Sequence, residues 1–75
     1  MDLADLNIGE EAVVAGYSDS TAPFVSQLMQ LGLIPGTRFQ LIRVAPLGDP
    51  IEIRFRGFSL ALRRQEAAIL ELRAP

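Results

Sequence analysis

Glycine and proline are concentrated in three short segments, and these segments constrain the fold more than any other feature of the chain. Four of the six glycines and three of the five prolines fall within residues 31–36, 45–50 and 56–58. Glycine reaches backbone angles that other residues avoid, and proline fixes its own φ angle and restricts the residue before it. This density predicts the tight turns of a small β-protein. No segment pairs a nucleophile with a base, so the sequence indicates a shape more clearly than a reaction.

Alternating apolar and polar residues predict the strands between these turns. In residues 51–56 the apolar side chains share one face and the charged side chains share the other. Gly57 then turns the chain into a second alternating run. Four or five short strands with glycine at the corners predict a mainly β fold, a small and partly open barrel of about five strands. The predicted strands are Glu10–Tyr17, Thr37–Ala45, Ile51–Arg56, Phe58–Leu62 and, after a short turn at 65–67, a last strand in which Leu70 and Leu72 point inward.

One short amphipathic helix is predicted after the first strand. Phe24, Leu28 and Leu31 recur at the i, i+4, i+7 spacing of a helical stripe. Gly32 follows the last periodic position, where a left-handed residue commonly ends a helix. The polar residues 18–21 come before the stripe, and their side chains can accept hydrogen bonds from the free amides at a helix start.

The net charge and the absence of certain residue types exclude several classes of function. The net charge is -2 and the basic residues are all arginine, whereas nucleic-acid-binding domains usually carry a basic stripe, so we predict no nucleic-acid partner. Without histidine, cysteine or lysine, the chain lacks the ligands that zinc prefers and the ordinary bases that activate serine or threonine. No stretch approaches the ~20 apolar residues that cross a bilayer, and the acidic residues 1–5 do not predict a secretory signal. We therefore expect no enzyme, no cofactor, no assigned metal ligands and no direct membrane insertion.

Four motifs follow one another in a fixed order. They are Leu-x-x-Leu-x-x-Gly, Leu-Gly-Leu-Ile-Pro-Gly, Ala-Pro-Leu-Gly-Asp-Pro-Ile-Glu-Ile and Arg-Gly-Phe-x-Leu-Ala-Leu-Arg-Arg-x-Glu-Ala. In this order, from Leu3 to about Leu72, the chain resembles the FeoA family, small cytoplasmic proteins of bacterial ferrous iron transport. One departure from the family pattern is Ser26 and Gln27, which stand where basic residues are common.

The resemblance implies a fold, a location and a partner. It implies a single barrel of the Src-homology-3 (SH3) type over residues 1–75, no enzymatic activity and a cytoplasmic location. The implied partner is the membrane transporter FeoB with its cytoplasmic G-protein region, through which the chain would lie at the inner membrane. We expect docking there to regulate ferrous iron uptake.

Six residues are candidates for partner contact. Loops on a rigid scaffold are frequent binding sites, and Leu47 is an apolar residue in the polar loop 45–50. Arginine is enriched at interfaces, which favours the outward charged face of residues 52–56. Residues 33 and 34 are either exposed anchors or a hydrophobic contact that folds back over the core, and the second interpretation is favoured. The candidates are Leu33, Ile34, Leu47, Asp49, Arg54 and Arg56.

Other interpretations stay open. Asp49 and Glu52 could bind a hard cation, although two such carboxylates are more typical of a turn and a solvated strand face. Arg63 and Arg64 could reach an acidic group or a phosphate, or only close a strand. For the whole chain the alternatives are a metal-responsive module related to the C-terminal barrel of iron-dependent repressors, a small RNA-binding barrel, and a homo-oligomer formed through strand edges.

Overall fold

Five antiparallel strands form one sheet in the computed structural model, which describes residues 1–75. The strands are β1 (Glu11–Tyr17), β2 (Arg38–Val44), β3 (Ile51–Phe55), β4 (Phe58–Leu62) and β5 (Leu70–Arg73), with helices α1 (Pro23–Gln30) and α2 (Arg64–Ala67) and a 3₁₀ turn at Leu3–Asp5. Their spatial order is β4-β3-β2-β1-β5, so β4 and β5 are the edge strands, each hydrogen-bonded to one neighbour. The predicted mainly β fold with five strands is confirmed, and the turn expected at 65–67 is the single helical turn α2.

The sheet curls around one apolar core. Inward-facing side chains from all five strands belong to a single buried cluster, together with Leu3, Leu28 and Ala67 from the helical segments. The alternation of β3 explains its share, because its three apolar side chains are buried while Arg54 between them is exposed. Sixteen of the seventeen buried residues are apolar, so burial of apolar surface is the main force that holds the fold together.

Two bulges set the register of the sheet. The pairing of β1 with β5 shifts between Val14 and Gly16, and the pairing of β2 with β3 shifts between Leu41 and Arg43. A bulge adds one unpaired residue to a strand, bends it and increases its twist. The second bulge accounts for the imperfect apolar alternation in the β2 sequence, and both help the sheet to curl.

A two-residue turn joins β3 to β4. Phe55 pairs with Phe58, and the turn residues Arg56 and Gly57 have φ angles of 52° and 84°. Positive φ at both positions is characteristic of the type I′ turn, whose twist matches that of the flanking strands. The strand predicted for residues 51–56 therefore ends one residue earlier, at Phe55, because Arg56 enters the turn.

Helix α1 starts differently from the prediction. Its N-cap is Ala22, which makes no side-chain hydrogen bond to the free amides, and Pro23 occupies the first turn. The polar loop before it bonds within itself, since Asp19 accepts hydrogen bonds from the amide and hydroxyl of Thr21 at 3.0 and 2.6 Å. These contacts lower the pKa of Asp19. The expected cap from residues 18–21 is therefore wrong, because the N-cap position falls on Ala22 and the Asp19 carboxylate bonds Thr21 instead of the helix.

The C-terminus of α1 carries the glycine cap that the sequence predicts. Gly32 has a φ of +101° and donates to the Met29 carbonyl at 3.0 Å, while Leu33 donates to the Leu28 carbonyl at 3.1 Å. This pair of bonds is the Schellman motif. The helix ends at Gln30, and Leu31, predicted as part of the buried stripe, is the 44% exposed C-cap. None of the helices approaches the length and apolarity needed to cross a membrane.

Candidate partner-binding surfaces

The loop at residues 45–50 presents Leu47 to solvent. The loop closes on itself through hydrogen bonds from the Ala45 amide to the Pro50 carbonyl and from the Gly48 amide to the Ala45 carbonyl, at 3.0 and 2.7 Å. Leu47 is 93% exposed, the largest value among the exposed large apolar residues. An apolar side chain displayed on a hydrogen-bonded loop is available to a partner without rearrangement of the core.

Helix α2 packs against the same loop. Asp49 accepts a hydrogen bond from the Arg64 amide at 3.3 Å, at the start of α2. A Cβ atom at Gly48 would lie only 2.8 Å from Nη1 of Arg64, so the arginine side chain lies directly over the glycine. Asp49 and Arg64 therefore have a structural role in positioning Leu47, and contact of Asp49 with a partner stays a prediction.

Residues 33 and 34 separate into a core residue and a surface residue. The Leu33 side chain is completely buried, so it belongs to the core and is removed from the exposed contact candidates. The physical reason is the Schellman motif, which turns the chain back so that Leu33 packs over the helix end with the buried Leu28. Ile34 is 37% exposed and remains available at the surface.

Two polar side chains fix the backbone under this helix end. The Tyr17 hydroxyl donates to the Leu33 carbonyl at 2.6 Å. Thr37, the only buried polar residue, donates to the Gly32 carbonyl at 2.7 Å and accepts from the Ile34 amide at 3.2 Å. Burial raises the pKa of Tyr17, which keeps its hydroxyl protonated as a donor. The position of Ile34 is thus set by the core and not by a free loop.

A group of arginines lies on the outer face of β2 and β3. Gln40 pairs with Arg54, and Arg38 and Arg56 lie beyond this pair at the same end of the two strands. These residues line a shallow depression of about 240 Å³ with Glu11 from β1. We call the set Glu11, Arg38, Gln40, Arg54 and Arg56 the arginine face.

The arginine face contains more positive than negative charge. Its single ion pair joins Nη1 of Arg38 to Oε1 of Glu11 at 3.2 Å, and it is the only salt bridge in the structure. Arg54 and Arg56 have no carboxylate within salt-bridge distance. Both side chains are exposed, and their planar guanidinium groups are suited to bidentate hydrogen bonds with carboxylates.

Arg56 connects this face to helix α1. A Cβ atom at Gly32 would lie 3.3 Å from Cδ of Arg56 and 3.5 Å from its Cζ, so the arginine side chain packs across the helix end. A guanidinium at this position also complements the partial negative charge at a helix C-terminus. The exposed residues Met29, Leu31 and Ile34 belong to the same end of α1.

The two carboxylates considered for a metal site have different surroundings. Asp49 bonds the backbone of α2, while Glu52 lies on β3 opposite Arg43 and Ala61. No three metal-ligating side chains from the set His, Cys, Asp and Glu lie together in the structure.

The sequence prediction missed Arg38 as a member of the arginine face. Arg54 and Arg56 were found from the alternation of β3, but their proximity to Arg38 depends on the pairing of β3 with β2. A usable signal was present, since Arg38 and Gln40 alternate with the apolar Phe39 and Leu41. The strand partner itself could not be read from one sequence.

The curled five-stranded sheet, capped by one short helix, defines the chain as a small SH3-like barrel. A family model described as the FeoA domain matches residues 1–74, and the chain belongs to this family. The predicted resemblance is confirmed by this match.

Similar proteins come from three bacteria. An Fe(2+) transport protein A/Fe(2+) transporter FeoB fusion protein of Porphyromonas gingivalis is 29% identical over 72 residues, which are 96% of this chain and 8% of the relative. The FeoA protein of Chlorobium tepidum, solved by NMR, is 39% identical with a TM-score of 0.87, over 99% of this chain and 70% of that one. The FeoA of Stenotrophomonas maltophilia was crystallised with zinc and is a prokaryotic SH3 domain protein. It is 25% identical with a TM-score of 0.83, and the match covers 97% of this chain and 89% of that one.

The same fold occurs in a larger protein of another type. The IdeR of T. acidophilum is 19% identical with a TM-score of 0.87, and the match covers all of this chain and 34% of that one. At this identity the comparison concerns the fold alone.

Proposed function

We propose that this chain is a non-enzymatic accessory protein of ferrous iron uptake, which acts in the cytoplasm by docking on the G-protein region of the transporter FeoB. The observation that carries the proposal is the match of nearly the whole chain to a protein that unites transport protein A with FeoB. This chain spans only 8% of that relative, so the transport activity is taken to reside in the partner.

Fusion into one polypeptide supports association between the separate proteins. A covalent link raises the effective concentration of one domain near another, typically to the mM range for short flexible linkers. Selection for such a link is expected when the two parts work at one site. The chain would then lie at the inner membrane only through its partner.

Docking can regulate transport only if it distinguishes between states of the partner. A ligand shifts a conformational equilibrium by its difference in affinity for the two states. We expect the chain to bind the G-protein region with different affinities in its GDP and GTP states. By linkage, the same factor would appear in the nucleotide affinity of the partner.

The first experiment measures ferrous iron uptake in cells with and without this gene, with ferric uptake as the control. A change confined to ferrous uptake supports the proposal and gives the sign of the regulation. Unchanged uptake of both forms, together with no binding of the purified chain to the G-protein region in either nucleotide state, would overturn it.

A metal-responsive regulatory module is the second candidate. The zinc complex of the S. maltophilia relative and the barrel shared with IdeR favour it. In this chain the metal ligands would have to be carboxylates and backbone oxygens, since histidine and cysteine are absent. Calorimetric titration with Zn²⁺ and Mn²⁺ tests this candidate, and saturable binding that raises the melting temperature would support it.

A further inference from the structure

The arginine face is an island of positive charge on an acidic protein. It holds three of the seven basic residues and one of the nine acidic ones, a net charge of +2. The rest of the chain therefore holds four basic and eight acidic residues, a net charge of -4. Glu52 lies two residues before Arg54 on the same face of β3 and forms no salt bridge with it.

Two of these arginines have no acidic partner within the chain. Only Arg38 forms a salt bridge, and the residues directly opposite Arg54 on the neighbouring strands are the uncharged Gln40 and Ser59. The Arg54 guanidinium has no role in the packing of the core, since the residue is exposed on the outer face. Carboxylates from outside the chain would supply the missing partners.

The surroundings of the island indicate a protein and not a bare polyanion. Arg56 lies across Gly32, next to an end of α1 where Met29, Leu31 and Ile34 are between 37% and 44% exposed. Arginine and methionine are both enriched at protein interfaces, whereas a site for nucleic acid would be lined by basic and polar groups throughout. The exposed apolar side chains at this end of α1 offer neither positive charge nor hydrogen-bond donors to a polyanion.

We infer that the arginine face and the adjoining end of α1 form the docking surface of this chain, and that its occupant is a protein surface with clustered carboxylates beside an apolar patch. The inference rests on the proposed function for the identity of that protein. Carboxylates of the partner bind the guanidinium groups of Arg54 and Arg56 and compete with Glu11 for Arg38. Apolar side chains of the partner cover Leu31 and Ile34.

The test compares two charge-reversal variants that change the net charge equally. The first, Arg38→Glu/Arg54→Glu, alters the arginine face. The control, Arg43→Glu/Arg63→Glu, changes exposed arginines towards the opposite end of the β2–β3–β4 sheet, where Val44 pairs with Ile51 and Ile51 with Leu62. The probe is the purified G-protein region of FeoB from the same organism, loaded with GDP or with a non-hydrolysable GTP analogue.

We expect the first variant to bind at least tenfold more weakly and the control to stay within about threefold of the unmodified chain. Binding of the unmodified chain should also weaken as salt rises, because salt screens exposed charges. Circular dichroism and thermal melting identify any folding defect. For a variant that fails to fold, backbone NMR shifts of the unmodified chain on adding the probe serve instead, and they should concentrate on β2, β3 and the end of α1.

Three outcomes would overturn the inference, and they are distinguishable. If the probe binds but both variants weaken equally, or the shifts lie elsewhere, the docking face is wrong while the proposed function stands. If the unmodified chain binds the probe in neither nucleotide state, the proposed function fails together with this inference. If the arginine face instead mediates tighter binding to a generic RNA or to anionic phospholipid vesicles, the class of occupant is wrong.

Discussion

The two ends of helix α1 are stabilised in different ways. At the C-terminus, the carbonyls of Gly32 and Leu33 accept hydrogen bonds from Thr37 and Tyr17, and the Leu33 side chain is completely buried. At the N-terminus, Ala22 provides no side-chain cap. The preceding loop is held by hydrogen bonds within itself and by Ser18, whose amide and hydroxyl donate to the Ile69 carbonyl at 2.8 and 3.3 Å. Side chains from β1 and from the residue before β2 bind carbonyls at the C-terminal end, whereas no side chain binds the free amides at the N-terminal end.

The difference shows where the chain tolerates change. A helix of eight residues has little stability of its own and takes it from tertiary packing. Apolar packing is present at both ends, since Val25 and Leu28 are both buried, but the side-chain hydrogen bonds to the backbone lie at the C-terminal end. Substitutions that break this C-terminal arrangement should therefore cost more than substitutions of the uncapped Ala22. The same end adjoins the arginine face through Arg56, so its rigidity also fixes the proposed docking surface.

The largest effect should come from Leu33→Ala. Removing a fully buried leucine leaves a cavity in the core, and we expect the free energy of unfolding to fall by about 2–5 kcal/mol. Urea denaturation followed by circular dichroism measures the change. Leu47→Ala is the matched control, since that leucine is 93% exposed and its loss should alter stability by no more than about 0.5 kcal/mol. Equal effects of the two substitutions would contradict the assignment of Leu33 to the core.

Gly32→Ala should have the next largest effect. The residue has a φ of +101°, and a new Cβ would also press on the Arg56 side chain at 3.3 Å. We expect a loss of about 1–2 kcal/mol from the left-handed conformation, plus the cost of moving the arginine. Gly36→Ala isolates the first contribution, because Gly36 has a φ of +93° but no atom within 4 Å of the new Cβ. If Gly32→Ala lowers the melting temperature no more than Gly36→Ala does, the contact between the new Cβ and Arg56 adds no cost.

Tyr17→Phe should cost about 1 kcal/mol, since the Leu33 carbonyl loses its hydrogen-bond donor. The substitution should also change the response to alkali. Because the pKa of Tyr17 is raised in the fold, the unfolded chain ionises first, so the contribution of Tyr17 is complete below about pH 10 and is lost as the pH rises through its folded pKa. Unfolding curves between pH 8 and 11 should show this decline only in the unmodified chain.

Tyr17 can be followed directly, because it is the only tyrosine. Its ultraviolet absorbance reports ionisation of the phenol in the folded protein. A midpoint at or below that of free tyrosine would contradict the buried donor.

Ala22→Ser should have the smallest effect, and with the opposite sign. Ala22 has the extended backbone that an N-cap requires, so a serine hydroxyl can accept a hydrogen bond from a free amide of the first turn. We expect a gain of about 0.5–1 kcal/mol. Ala22→Val, which enlarges the side chain without an acceptor, is the control and should give no gain in thermal melts. A gain with valine would show that capping is not the limiting feature of this end.

The turns and the strand faces could be predicted because they depend on neighbouring residues. Gly57 and Gly32 lie in the turn and the helix cap that the sequence indicates, although each element ends one residue earlier than predicted. Alternation identifies the buried side of β3. The helix cap at Ala22 could not be predicted in the same way. Four polar residues stand before the helix, and the choice among their competing hydrogen bonds is decided by the path of the loop.

The arginine face could be predicted only in part, because it depends on strand pairing. Arg54 and Arg56 are separated by one residue, but Arg38 joins them through the register of β2 with β3. That register contains a bulge, and the sequence shows it only as an irregular alternation. The burial of Leu33 was favoured from the glycine cap, but it is the packing of the helix on the sheet that places the side chain within the core.

The separation of charge between the arginine face and the rest of the chain has a consequence for the kinetics of encounter. A face of +2 on a remainder of -4 gives the molecule a dipole moment that its net charge of -2 conceals. In the field of an acidic surface, such a molecule rotates before it touches, so the arginine end leads the approach. Steering of this kind alters the rate of association more than the lifetime of the complex. A small acidic protein can thus be drawn, correctly oriented, towards a partner of the same overall sign.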